Sequence, residues 1–182
     1  IYEYSRLNGA MEYRIHGSRG SVSYLSFCTQ KGGYETDGRM TVTGFLDATQ
    51  LMTDKDGNFE IIISREPQPG NWLPMEDNSV SILVRQTFMD RKSEVPAKLS
   101  IERIGTQDKP GPLDPLVFAQ SLQRASSFVE NTATLFADWA QSYLPHSNQL
   151  PPADQAYCQS VGGDPNIFYY PSHWELNEDT AL

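Results

Sequence analysis

The apolar residues of this chain change period once, near residue 112, and that change limits what it can fold into. Before it, apolar and polar side chains alternate in short runs, as strands require. After it, Phe118, Leu122, Ala125, Val129, Thr132, Phe136, Trp139 and Tyr143 recur at spacings of three and four, as one helical stripe does. The expected fold class is therefore mainly β with a long helix.

Within 1–105, Ser21 to Thr29 alternates Val22, Tyr24, Ser26 and Cys28 against Ser23, Leu25 and Phe27. Neither face is fully polar, so this strand is expected to be covered on both sides. Phe59–Ser64 and Val80–Phe88 are β-branched and aromatic enough for central strands. Leu99–Ile104 alternates too, and Pro96 just before it predicts an edge strand or a bulge. Gly17-Ser18-Arg19-Gly20, Lys31-Gly32-Gly33, Asp54-Lys55-Asp56-Gly57 and Gln68-Pro69-Gly70 read as the turns between strands. Asp56-Gly57 is expected to join Gln50–Met52 to Asn58–Ser64 as a hairpin. Turns this closely spaced predict a β-sandwich or barrel over 1–105.

In 106–146, a loop at Thr106–Pro112 leads to Asp114, a good N-cap, and Pro115, which suits the first helical position. The stripe predicts a helix over 115–144, about 45 Å long, ended by Pro145. Phe128, Leu135 and Ala140 widen the stripe, so the helix is expected to be buried along much of its length. Charges are too scarce for a coiled coil. Its length outruns one sheet face, which leaves open a homo-oligomer built through this helix. Residues 147–182 begin as a Pro- and Gly-rich loop and are expected to end in the start of a further β portion. The stretch from Trp174 to Leu182 reads as a turn leading into an unfinished strand, as in a fragment of a longer protein.

The chain has 14 basic and 23 acidic residues, a formal net charge of −9. That charge repels phosphate backbones, and no Lys/Arg stripe reverses it locally, so nucleic acid and anionic membrane are not expected partners. No apolar run approaches the roughly 18 residues a membrane span needs. A soluble protein follows, cytoplasmic or periplasmic. Cys28 reads as a small buried hydrophobe, while Cys158 falls in a loop-like stretch open to solvent. A disulfide between them is left open.

His16, His146 and His173 form no zinc spacing, and no nucleophile elbow, phosphate loop or dinucleotide fingerprint occurs. No metal and no organic cofactor is expected. Asp54-Lys55-Asp56-Gly57-Asn58 could offer oxygens to calcium, but a tight turn explains the same residues. Four residues are the candidate ligand-binding set: Trp72, Arg85, Tyr170 and His173. Trp72 follows a Pro-Gly turn and is expected to tuck its indole against turn backbone. Arg85 lies on a strand built for the core and needs a partner, with Glu66, Glu76 or Asp77 in reach along the chain. Tyr170 and His173 belong to the most aromatic stretch, Ile167–Trp174, whose flat faces and polar tips suit a saccharide or an apolar metabolite. Small-ligand binding is the expected function. The alternative is a hydrolase or lyase using Asp, Glu or His; the catalytic residues are unknown.

Gly70-Asn71-Trp72-Leu73-Pro74-Met75, followed by Leu83-Val84-Arg85-Gln86-Thr87-Phe88, resembles the signature of the bacterial and fungal "domain of unknown function 1214" family. Tyr13-Arg14-Ile15-His16-Gly17 and Ser21 to Phe27 look like the strands that precede it. The resemblance covers roughly residues 10–104. It implies a jelly-roll-like β-sandwich followed by a helical insertion and further strands, with no settled activity and no catalytic residue to carry over.

Overall fold

The computed structural model describes residues 1–105 and 111–179. They form two compact units. Unit one holds the described residues of Ile1–Lys31 and Val42–Pro110, and unit two those of Gly32–Thr41 and Gly111–Leu182.

Eight strands make two four-stranded sheets. They are β1 (Tyr2–Arg6), β2 (Tyr13–Ser18), β3 (Tyr24–Gly33), β4 (Arg39–Asp47), β5 (Asn58–Ser64), β6 (Asn71–Pro74), β7 (Ser81–Thr87) and β8 (Lys98–Arg103). The first sheet has the order β1-β7-β3-β4 and the second β6-β5-β2-β8. The long helix expected after the strands is present as α1 (Pro115–Gln141), followed by a 3₁₀ turn at Leu144–His146 and a short helix, α2 (Gln155–Ser160).

One core draws on both sheets. β3 supplies Leu25 and Phe27, β7 supplies Ile82 and Val84, and β2 and β5 answer with Ile15, Phe59, Ile61 and Ile63. The Phe27 and Phe59 rings meet edge to face, centroids 6.0 Å apart at 74°. That geometry brings the positive ring edge of one onto the negative face of the other. As expected, β3 is covered on both sides: every residue from Leu25 to Gln30 is buried. β8 is an edge strand, as Pro96 foretold. Gly44 is buried on β4 because the Pro74 carbonyl lies where its Cβ would be.

Three local expectations are corrected. Lys31-Gly32-Gly33 is no turn: β3 runs through to Gly33, and Gly32 at φ 81° bends the strand in a conformation that a side chain would oppose. The reversal falls on 34–38 instead. Gln50–Met52 does not pair with β5, because both edges of β5 are already taken by β2 and β6. Met52 is held by one side chain: its N–H donates to Asn71 Oδ1 at 2.7 Å and its carbonyl accepts from Asn71 Nδ2 at 2.8 Å. The Asp54–Gly57 turn forms, but Asp54 closes it alone, its Oδ1 accepting from the N–H groups of Asp56 and Asn58. Those bonds, with one from the Asn58 amide, hold the Asp54 carboxyl below its ordinary range.

The third correction concerns α1. Asp114 caps it as expected, accepting from Leu116 and Val117 N–H, with Pro115 at the first position. It stops at Gln141, before the expected 144, because Pro145 offers no N–H to the Gln141 carbonyl and its ring crowds that carbonyl. The last turn tightens to 3₁₀, with His146 N–H donating to Tyr143 O at 2.9 Å. No residue of α1 is fully buried. Leu116, Val117, Phe118 and Leu122 are all exposed, and partial cover begins only at Ser127 and follows Asn131, Leu135 and Trp139. Within unit two the ring that meets this half is Tyr34, from the β3–β4 turn, 5.9 Å from Phe128 and 6.0 Å from Phe136. Residues 167–179 contain no strand, and 180–182, where the unfinished strand was expected to end, lie outside the described residues, as do 106–110 of the expected loop.

The Phe27–Phe59 contact sets a prediction. Phe27→Ala should lower the stability of unit one by about 3–5 kcal/mol, read as a shift of the urea midpoint with an unchanged slope.

Candidate functional site

Unit two encloses a cleft of about 430 Å³ between the end of α1, the start of α2 and the proline-rich chain that joins them. Trp139 comes from the last turn of α1, and Tyr143 follows four residues on, just past the helix end where the backbone is still in the helical region. Tyr157 comes from α2, and Pro151, Pro152 and Pro171 from the irregular segments. The rings stand at angles to one another. Trp139 and Tyr157 are 5.3 Å apart at 78°, and Trp139 and Tyr143 are 6.2 Å apart at 53°.

Local sequence explains how the irregular chain holds these groups. Asp154 caps α2, its Oδ1 accepting from Tyr157 N–H at 3.0 Å. Gln155 clamps the following segment: its Nε2 donates to Tyr169 O at 2.8 Å and its Oε1 accepts from Tyr169 N–H at 2.9 Å. Asn148 does the same on the other side, donating from Nδ2 to Glu175 O at 2.8 Å and accepting from Glu175 N–H at 3.0 Å. It does so at φ 59°, which Asn tolerates better than most residues. Backbone that lacks a ladder is thus paired by amide side chains. Gly163 donates to the Cys158 carbonyl at 2.9 Å, so close that a Cβ there would overlap it.

Two of the cleft's titratable groups are shifted by their surroundings. Burial, with the Cys158 and Tyr157 groups nearby, pushes the Tyr143 hydroxyl up to about 12. Burial and then the Asp154 carboxylate push the Cys158 thiol up as well. Cys158 is therefore a protonated, buried thiol on α2, not the exposed loop cysteine that the sequence suggested, and it forms no disulfide with Cys28. A thiol in that state is a poor nucleophile. Asp138 and His146 also line the cleft, and both are exposed. Among the described residues no group of three His, Cys, Asp or Glu side chains could hold a metal ion.

Of the four residues singled out in the sequence, Trp72 and Arg85 belong to unit one and Tyr170 and His173 to unit two. Trp72 is on β6, where its Nε1 donates to Ser64 O and Oγ at 3.2 and 3.1 Å; the acceptor is the end of β5. Arg85 is on β7, in the other sheet, and only 4% exposed. Its Nη1 donates to Cys28 Sγ at 3.4 Å, and its guanidinium lies 5.7 Å from the Tyr2 ring centre. Glu76, one of its expected partners, instead pairs with Lys31 at 2.7 Å. Tyr170 and His173 belong to unit two but flank Pro171 without lining the cleft. His173 is a fastener: its Nδ1 meets Ser147 Oγ at 2.9 Å and its carbonyl accepts from Asn148 N–H at 2.8 Å. Tyr170 is exposed. Sequence reasoning missed Trp139, Tyr143 and Tyr157 because the first two complete a helical core stripe and the third follows a proline-rich loop. The available signal was two aromatic residues four apart, at a helix end that Pro145 forces to turn back.

No family model matches the chain, and no curated protein matches it. It is similar to a crystal structure of an uncharacterised protein from Burkholderia cenocepacia, with 61% identity and a TM-score of 0.96 over 98% of this chain. The chain spans 50% of that protein's length. A second solved structure, of a protein from Vibrio parahaemolyticus, is 17% identical with a TM-score of 0.38, over 56% of this chain and 30% of that one. A likeness that slight carries no argument. No described helix is long and apolar enough to cross a membrane.

Two outcomes follow from the shifted groups. Tyr143 stays protonated when folded but ionises near its ordinary 10.0 when unfolded, so the unfolded state sheds the proton first. Stability should be intact below that pH and fall as pH climbs towards about 12, a fall that Tyr143→Phe flattens in thermal melts across alkaline pH. Ellman's reagent should label Cys158 in the folded protein at least about a hundredfold more slowly than in urea, with Cys28→Ala isolating its signal.

Proposed function

We propose that the chain binds a small ligand, a saccharide or an apolar metabolite, in the cleft at the C-terminal end of α1. The observation that supports this is the lining itself. Three aromatic rings and three prolines surround about 430 Å³, with a few polar tips among them. A mostly apolar concavity with a few convergent polar groups is the usual make-up of a small-molecule site. Rigid rings and prolines also lose little side-chain entropy when a ligand settles on them.

Binding is favoured over the hydrolase or lyase alternative by the direction of the shifts. A general acid or base works best with a pKa near the working pH, so the shifts argue against Tyr143 and Cys158 in that role. The predominance of rings and prolines over Asp138, Asp154 and His146 in the lining favours binding over chemistry by those three. The resemblance to an uncharacterised family adds no activity. We read the two facing sheets of unit one as the jelly-roll-like sandwich which that resemblance implies; support comes from the single core shared by β2, β3, β5 and β7.

A thermal-shift screen of the intact protein against monosaccharides, disaccharides and apolar metabolites tests the proposal. A ligand at about 100 times its dissociation constant should stabilise the protein by roughly 2.7 kcal/mol. Trp139→Leu and Tyr157→Ala should abolish that shift while keeping a cooperative melt. If the shift survives both substitutions, the ligand binds elsewhere and the cleft is not its site.

A further inference from the structure

We infer that the ligand of this cleft carries a positive charge: it is an organic ammonium compound, its cationic head seated among Trp139, Tyr143 and Tyr157. This rests on the binding reading above and adds the charge to it.

The residues lining the cleft include two carboxylates, Asp138 and Asp154, one imidazole, His146, and no Lys or Arg. The Asp138 carboxylate makes no hydrogen bond or ion pair with another described residue; only its backbone carbonyl is used, accepting from Ser142 N–H at 3.1 Å. Asp154 spends one oxygen on the Tyr157 N–H and keeps its second. A wholly neutral apolar ligand would displace water from these carboxylates and return nothing for it. An anion would meet their charge and the chain's net −9. A cation gains from both.

The rings point the same way. A sugar stacks on one flat aromatic face, whereas a rounded ammonium group profits from several electron-rich faces at different inclinations. Trp139 offers the strongest such face, and Tyr157 and Tyr143 stand at 78° and 53° to it.

The test compares ligands that differ in charge alone. Choline and its uncharged tert-butyl analogue, then glucosamine and glucose, are titrated calorimetrically into the intact protein at low and at physiological salt. The charged member of each pair should bind at least about tenfold more tightly than the neutral one, and the advantage should shrink with salt. Asp138→Asn, at an exposed position that leaves the melt unchanged, should weaken the charged ligands about three- to tenfold and leave the neutral ones alone. Equal affinity within each pair, or indifference of the charged ligands to Asp138→Asn, overturns the charge while binding in the cleft stands. If neither member binds and no compound in the thermal screen shifts the melt, both the charge and the binding reading fall.

Discussion

From Leu25 to Gln30 the strand β3 has no exposed residue, and the fold of unit one is arranged around that fact. A strand buried on both faces cannot lie at an edge, so it needs a neighbour on each side, which β7 and β4 provide. One face, through Leu25 and Phe27, joins the apolar core shared with the second sheet. The other carries Ser26 and Cys28, and with them Arg85 from β7, which stands directly opposite Ser26 in the ladder. A guanidinium cannot lose its proton, so burying it obliges the surroundings to supply acceptors and electron density. Cys28 sulfur and the Tyr2 ring are two of those supports. Arg85 is thus a consequence of burying β3 twice over, and it belongs to unit one.

Unit two solves a different problem. Among its described residues, the strands are only the ends of β3 and β4. Its order comes from a run of rings, Phe128 to Tyr34 to Phe136 to Trp139 to Tyr157, with neighbouring centroids 5.3–6.0 Å apart. Such contacts combine area burial with a preferred inclination. The Asn148 and Gln155 amides then pair backbone that no strand reaches. The cleft lies where the ring series meets the turn forced by Pro145. Its apolar walls are the end of a structural series left partly uncovered.

The α1 stripe shows where periodicity stops being informative. Phe118 and Leu122 repeat as regularly as Leu135 and Trp139, yet the first two are exposed and the last two are partly covered. Spacing records which side chains share a face of a helix. It does not record how far along that face other side chains reach. The same holds for His173 and Trp72, chosen for their chemistry and found bonding to nearby backbone and hydroxyl groups instead.

The sequence by itself determined the mainly β character of 1–105, the double cover of β3, an edge strand or a bulge at β8, the start of α1 at Asp114 and the presence of a long helix after the strands. Each is a local matter of alternation, capping or a missing N–H, and local physics can be read in order along a chain. Only the tertiary structure decided that β5 pairs with β2 and β6 and not with residues 50–52, that Arg85 lies against Cys28 and Tyr2, and that Trp139, Tyr143 and Tyr157 form one cleft. Those outcomes depend on which distant groups compete for the same edge, charge or ring face. No window of sequence holds both competitors at once.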